Sequence, residues 1–145
     1  MQSNSQDRIL VMGATNRPYE LDNAALRRFP KRIYIGLPDF ETRVSMVNKL
    51  LESQSHSLRP SQIEELAFLS DGYSGSDLTA LAKDAALGPI REQSVEQLKV
   101  LTANKIRPLN INDFKASLNK IRQSTPKEGL SDLEKWNREY GDINA

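Results

Sequence analysis

The apolar positions change rhythm once along the chain. Ile9-Leu10-Val11-Met12-Gly13-Ala14 is a continuous apolar run, the pattern of a strand buried on both faces. Ile33-Tyr34-Ile35-Gly36-Leu37 is a second short β-rich run, and it stops at Pro38. About eighteen residues separate them, with a turn signal at Asn16-Arg17-Pro18 and helical spacing from Asp22 to Arg28. Strand, helical crossover and strand predict a parallel pair. Two strands cannot cover both faces of a parallel sheet, so residues 1–38 read as the end of a larger sheet domain.

After Pro38 the period is that of helices. Asp39 can cap a helix to about Ser53, with Val44, Val47, Leu50 and Leu51 on one face. Ser61 and Glu64 form a capping-box pattern ahead of Ile63, Leu66, Ala67 and Leu69. Ser74 and Asp77 form another, opening a helix that turns Leu78, Leu81, Ala82 and Ala85 inward. Pro89 should kink that helix or end its regular part. Residues 94–101 read as a short helix and 104–110 as a loop. Asn112 can cap a helix carrying Phe114, Leu118 and Ile121. Residues 124–129 are a linker by composition, and Ser131 with Glu134 can cap a last helix bearing Leu133, Trp136 and Tyr140. The expected fold is therefore an α/β remnant with two parallel-type strands (1–38), an all-α helical bundle (39–123), and a linker with a C-terminal helix (124–145).

Composition narrows the function classes. The chain has 145 residues, 38% hydrophobic and 27% charged, with 20 basic and 19 acidic residues and a net charge of +1. So balanced a chain has no global field to draw it onto nucleic acid or an anionic membrane. No apolar run approaches the 18 or so residues of a membrane span, and residues 1–8 are polar, unlike a signal peptide. Without cysteine there is no disulfide frame, thiolate nucleophile or Cys-ligated metal, which favours a reducing intracellular compartment. The single histidine, His56, sits in a polar loop pattern with nothing around it that suggests a hydrolytic triad or a metal site.

Three stretches carry candidate chemistry. The first is Ala14-Thr15-Asn16-Arg17-Pro18, then Leu21-Asp22, then Ala25-Leu26-Arg27-Arg28-Phe29. An Asn at the end of a buried strand needs a hydrogen-bonding task; alone, it is as well explained as a turn former ahead of Arg-Pro. Arg27-Arg28, followed by Lys31-Arg32, is by composition a solvated basic patch. The second is Asp71-Gly72-Tyr73-Ser74-Gly75-Ser76-Asp77-Leu78, running on to Gly88-Pro89-Ile90-Arg91-Glu92. Gly75 lets a ligand approach the backbone, and the helix start offers free N–H groups; a plain capped helix start explains the same residues. The third is Leu133-Glu134-Lys135-Trp136 through Gly141-Asp142, on its own pattern an ordinary terminal helix.

Together these stretches resemble the AAA-type ATPases. The first is similar to their second region of homology, and its direct Arg-Arg-Phe resembles the subgroup that holds the microtubule severers and an endosomal-sorting disassembly ATPase. The second matches one severing branch almost residue for residue and the others in part. Pro30 departs from the pattern after Phe29. The resemblance implies a first sensor at Asn16, contacting the γ-phosphate or the attacking water, and paired arginine fingers at Arg27 and Arg28 that reach a neighbouring subunit's ATP. It places Gly75, Ser76 and Asp77 along the base and ribose side of the nucleotide and leaves a second-sensor role for Arg91 weakly supported. It implies that residues 1–38 end the large nucleotide-binding domain, 39–123 form the small helical lid, and the last helix packs back on the large domain. The parent would use ATP with Mg²⁺, assemble with other copies as a hexamer and act on tubulin in microtubules, in the cytoplasm at the cytoskeleton; no nucleic-acid partner is implied, and from these 145 residues themselves neither tight nucleotide binding nor membrane contact is expected.

No G-x-x-x-x-G-K-[ST] phosphate loop occurs in the 145 residues, and no apolar strand ends in adjacent acids. The resemblance thus covers only the C-terminal part of an ATPase cassette, and the chain alone is expected to be inactive. Three alternatives stay open: a stand-alone helical module that assists or inhibits assembly, a phosphate-binding nucleic-acid module using Arg27, Arg28, Lys31 and Arg32, and a related AAA ATPase with another substrate.

Overall fold

A computed structural model of the chain describes residues 9–94 and 106–142. Among the described residues the elements are a 3-10 turn at Pro18–Glu20 and seven helices: α1 (Asn23–Arg28), α2 (Phe40–Leu51), α3 (Pro60–Leu69), α4 (Gly75–Ala86), α5 (Gly88–Arg91), α6 (Ile111–Leu118) and α7 (Lys127–Tyr140). The chain forms two compact units. One joins Met1–Tyr34 to Glu128–Ala145, and the other is Ile35–Lys127.

The second unit is a helical bundle. Its core is Val47 and Leu51 from α2, Ile63 and Leu66 from α3, Leu78, Leu81 and Ala85 from α4, and Phe114 from α6, closed by Leu58, Tyr73 and Leu109. α2 packs on α3 and α4, and α4 on α6. Asp39 caps α2, its Oδ1 accepting from Thr42 N at 2.8 Å. Ser74 and Asp77 form a complete capping box at α4: Asp77 N donates to Ser74 Oγ at 3.2 Å, and Ser74 N to Asp77 Oδ2 at 2.9 Å. α4 ends at Ala86, and Pro89 sits buried inside the short α5, so the regular helix stops before the proline.

Three expected starts shift. α3 begins at Pro60, with Arg59 rather than Ser61 at the cap position, because proline's fixed φ suits the first helical residue. The return bond comes from Gln62, whose Oε1 accepts from Arg59 N at 2.9 Å. α6 is capped by Asn110 rather than Asn112; Asn110 Oδ1 accepts from Asn112 N at 2.9 Å and from Asp113 N at 3.3 Å. α7 starts at Lys127, directly after Pro126, so Gly129, Ser131 and Glu134 lie within it and not ahead of it. Leu69, expected inside, is exposed at the end of α3. The helix expected at 94–101 lies almost wholly outside the described residues.

The two strands do not form. Neither Ile9–Ala14 nor Ile33–Leu37 pairs, and among the described residues the β-pairing is one isolated parallel bridge between His56 and Leu109. Strands of the doubly buried type need neighbours along both edges and cover on both faces. Without them Leu10 is 83% and Ile35 88% exposed. The bridge, by contrast, is anchored by Leu109 N to Ser55 O and Ser57 N to Leu109 O, both at 2.9 Å, and carries Leu58 and Leu109 into the core. His56 is structural there, its Nδ1 accepting from Leu58 N at 3.3 Å.

Buried polar groups tie the bundle. Arg43 is 6% exposed; its Nε donates to Ala67 O at 2.9 Å and its Nη1 to Pro38 O at 2.8 Å, while Nη2 meets Asp71 Oδ1 at 2.9 Å. Gly72 follows in the left-handed region, at φ +76°. A Cβ there would lie 2.6 Å from Gln123 Nε2, which donates to Asp71 O at 2.6 Å. Gln123 is a flexible side chain that can move aside, but the backbone conformation itself requires glycine, so Gly72→Ala should destabilise this unit by about 1–2 kcal/mol, read as a lower urea midpoint; an unchanged midpoint would refute the constraint.

Two carboxylates stitch α4 and α6 to their neighbours. Asp84 accepts from Arg91 Nη2 at 2.6 Å and from Ser117 Oγ at 2.7 Å, with Lys120 at 3.6 Å. Asp113 accepts from Arg107 Nη2 at 2.7 Å and Nη1 at 2.8 Å, and Arg107 also grips Glu92. The Arg91 and Ser117 hydrogen bonds hold Asp84 well below the usual carboxylate range, and the Arg107 hydrogen bonds lower Asp113. A depressed folded pKa gives stability that is complete above the unfolded value, near pH 4, and is lost as pH falls through the folded values. Stability should therefore hold from pH 7 to about 5 and fall below about 4. Asp84→Asn should flatten that acid limb, and an acid limb as steep as that of the unmodified chain would contradict the assignment.

Candidate functional site

The sequence-predicted residues fall in two groups, one in each unit. In the first unit, Thr15 Oγ1 accepts from Arg17 N at 3.0 Å, a small turn that presents Asn16. Asn16 is exposed, so the need for a buried amide partner does not arise in this chain. Arg17 Nη1 pairs with Glu20 Oε1 at 3.0 Å across the 3-10 turn. Asp22 then caps α1, its Oδ1 accepting from Ala25 N at 2.7 Å. Arg27 and Arg28 occupy the last turn of α1, where a cation is favoured by the carbonyl end of the helix. Both are exposed, and among the described residues neither enters an ion pair. An exposed planar guanidinium can clamp two phosphate oxygens.

In the second unit, Gly75, Ser76, Thr79, Ala80 and Lys83 line an open depression of about 400 Å³ along one face of α4. Small side chains at the first four positions leave a face that a planar base or a sugar can approach, and Lys83 is its one charged group. Gly75 also has a packing reason: a Cβ there would lie 3.0 Å from Met46 Cε. Asp77 does not face the depression. It is 5% exposed, and its Oδ2 accepts from Ser74 N and Oγ at 2.9 Å and from Ser124 N at 3.3 Å. Burial pushes its pKa up, but these hydrogen bonds outweigh burial and leave it lowered. Asp77 thus holds the helix start, while Thr79 and Lys83, one and two turns on from Gly75, extend the face. Helical spacing from Gly75 was the available signal for both. Arg91 pairs with Asp84, its Nη1 donating to Oδ2 at 3.1 Å and its Nη2 to Oδ1 at 2.6 Å.

Matches to known proteins cover the stretches that hold both groups. The family model for the "ATPase family associated with various cellular activities (AAA)" matches residues 1–37, and that for the "AAA+ lid domain" matches residues 61–100. The chain is 53% identical over all 145 residues to spastins of Ixodes scapularis and Gallus gallus, covering 22% and 24% of those proteins. It is 56% identical over 137 residues, 94% of the chain, to the spastin of Drosophila pseudoobscura pseudoobscura, covering 17% of it. The chain therefore spans about a fifth of the length of the curated relatives it matches. Its fold is similar to the crystal structure of the FIGL-1 AAA domain in complex with ADP, with a TM-score of 0.89 and 38% identity over 94% of this chain and 46% of that one. A katanin structure, titled for katanin self-assembly, gives a TM-score of 0.71 at 31% identity over 82% of this chain and 43% of that one. The chain belongs to the AAA ATPase family as a spastin-like part of the AAA cassette, a helical lid joined to a short piece of the AAA core.

Proposed function

We propose that this chain is the neighbour-facing and lid portion of a microtubule-severing ATPase, which works as a ring of copies to pull on tubulin. The observation that carries this is the 53% identity to spastins over the whole chain, spanning both candidate groups. Arg27 and Arg28 act in trans: exposed at the end of α1 and without an ion pair among the described residues, they place two forks on the phosphates of an adjacent subunit's nucleotide. Asn16 orients the attacking water or the γ-phosphate of its own subunit through its side-chain amide. Gly75 and Ser76 line the base and ribose side of the nucleotide, and Asp77 fixes that face by capping α4. When bound, ATP would supply the transferred phosphoryl group and Mg²⁺ would neutralise part of its charge. The parent is cytoplasmic and associated with the cytoskeleton in this reading.

Alone, the chain should show no ATP turnover above a blank, because no phosphate loop occurs in it. Turnover in a preparation free of contaminating ATPases would overturn that. The function itself is tested in a chimera: the Gallus gallus spastin with its aligned segment replaced by this chain. Its ATP turnover should rise with added microtubules and should not respond to nucleic acid. Stimulation by nucleic acid alone would favour the phosphate-binding alternative.

A further inference from the structure

The end of α1 has a defect that one side chain repairs. Ala25 O accepts from Phe29 N at 3.0 Å, the last regular bond of the helix. The next carbonyl, Leu26 O, would take the N–H of residue 30, but residue 30 is proline and has none. Arg32 supplies the missing donor: its Nη2 donates to Leu26 O at 2.6 Å. The other terminal nitrogen, Nη1, donates to Tyr140 O at 2.8 Å, the carbonyl of the last residue of α7. Arg32 O in turn accepts from Asp142 N at 2.9 Å. One guanidinium thus spans the carbonyl ends of two helices, where a cation is favoured. Its Nε is buried and has no acceptor. An unmet buried donor is costly, so the arrangement is specific to the two-pronged fork and is not that of a generic surface arginine.

We propose that Arg32 is a positioning residue for Arg27 and Arg28. Leu26 immediately precedes the arginine pair, so the fork that replaces the missing Pro30 amide also fixes the turn on which both side chains are carried. Through Tyr140 it links that turn to the end of α7, so that the ordering of the C-terminal helix sets the aim of the arginines. This inference rests on the reading of Arg27 and Arg28 as fingers.

The test uses the chimera in mixed rings, where ATP binding by the mutated subunit and turnover by its neighbour are read separately. Arg32→Gln should leave its own subunit's ATP binding within about twofold and cut the neighbour's turnover by about 10–100-fold, the scale of an ångström-level misplacement. Arg32→Lys, with one donor centre in place of a fork, should fall between. Adding Pro30→Ala to Arg32→Gln restores an N–H for Leu26 O and should recover most of the lost turnover. A purely structural arginine would lose ATP binding and folding together, without that rescue. If Arg32→Gln keeps the neighbour's turnover while Arg27→Ala or Arg28→Ala loses it, the positioning role is wrong and the finger reading stands. If the finger variants lose nothing, the finger reading fails and the positioning role falls with it. Amide exchange at Phe29 in the 145-residue chain then shows whether the bridge itself exists: it should quicken in Arg32→Gln and slow again with Pro30→Ala.

Discussion

Replacing Arg27 or Arg28 with Ala should leave ATP binding by the mutated subunit nearly intact and cut hydrolysis by its neighbour by roughly 10³–10⁵, the range of arginine fingers in phosphoryl transfer. Both side chains stand exposed at the carbonyl end of α1, so neither mutation removes an ion pair among the described residues. Lys should rescue only in part, because a point charge cannot match two phosphate oxygens as a planar fork does. The decisive arrangement mixes Arg-to-Ala subunits of the chimera with subunits that keep both arginines but cannot hydrolyse ATP. Activity should return only where a hydrolysis-competent pocket meets an arginine-bearing neighbour. Loss confined to the mutated subunit's own pocket, or no loss, would make the pair part of a basic stretch with Lys31.

Arg43→Ala should destabilise the Ile35–Lys127 unit by about 3–5 kcal/mol, as much as truncating a buried core side chain. The exposed partner Asp71 adds little, since a carboxylate 83% in solvent is well screened. The cost lies in Ala67 O and Pro38 O, each losing a charged donor worth about 1.5–3 kcal/mol. For a small domain with about 5–15 kcal/mol in total, that is a large fraction. The urea midpoint of the chain, followed by far-UV circular dichroism, should drop with the slope unchanged. Arg43→Lys should recover less than half, as one ammonium cannot reach both carbonyls and Asp71. A loss below about 1 kcal/mol would mean that water replaces the guanidinium at little cost.

What could be read along the chain, and what could not, divides by locality. The start of α4 was legible because both halves of its capping box lie within four residues, Ser74 to Asp77. The start of α3 was misplaced by two residues because Pro60 at the first helical position outweighs Ser61 as a cap. Asn110 and Asn112 both suit a cap, but Asn110 alone has an acid three residues on, and Asp113 Oδ2 accepts from Asn110 N at 2.9 Å to close a capping box, a local signal that favours the first. Leu58 and Leu109 each sit alone among polar neighbours, so no periodicity marks them; a backbone bridge between distant segments buries both. Strand character at Ile9–Ala14 was legible, but strand formation is a property of partners and not of the run. At the candidate site, Arg27 and Arg28 were recognisable only through the family resemblance. Arg32 was grouped with the basic patch, although Pro30, two residues earlier, was the sign that Leu26 O would need a donor from elsewhere. Arg43 likewise carried a signal, a charge one turn before Val47 on the apolar stripe of α2.

The central claim, that this chain is a working part of a microtubule-severing AAA ATPase, is tested most directly by watching single stabilised microtubules under the Gallus gallus chimera. The account predicts breaks along the lattice with ATP, none without it, and none when Arg27 and Arg28 are both Ala. A chimera that folds, binds ATP and assembles, yet leaves microtubules intact at concentrations where the parent spastin cuts them, would contradict it.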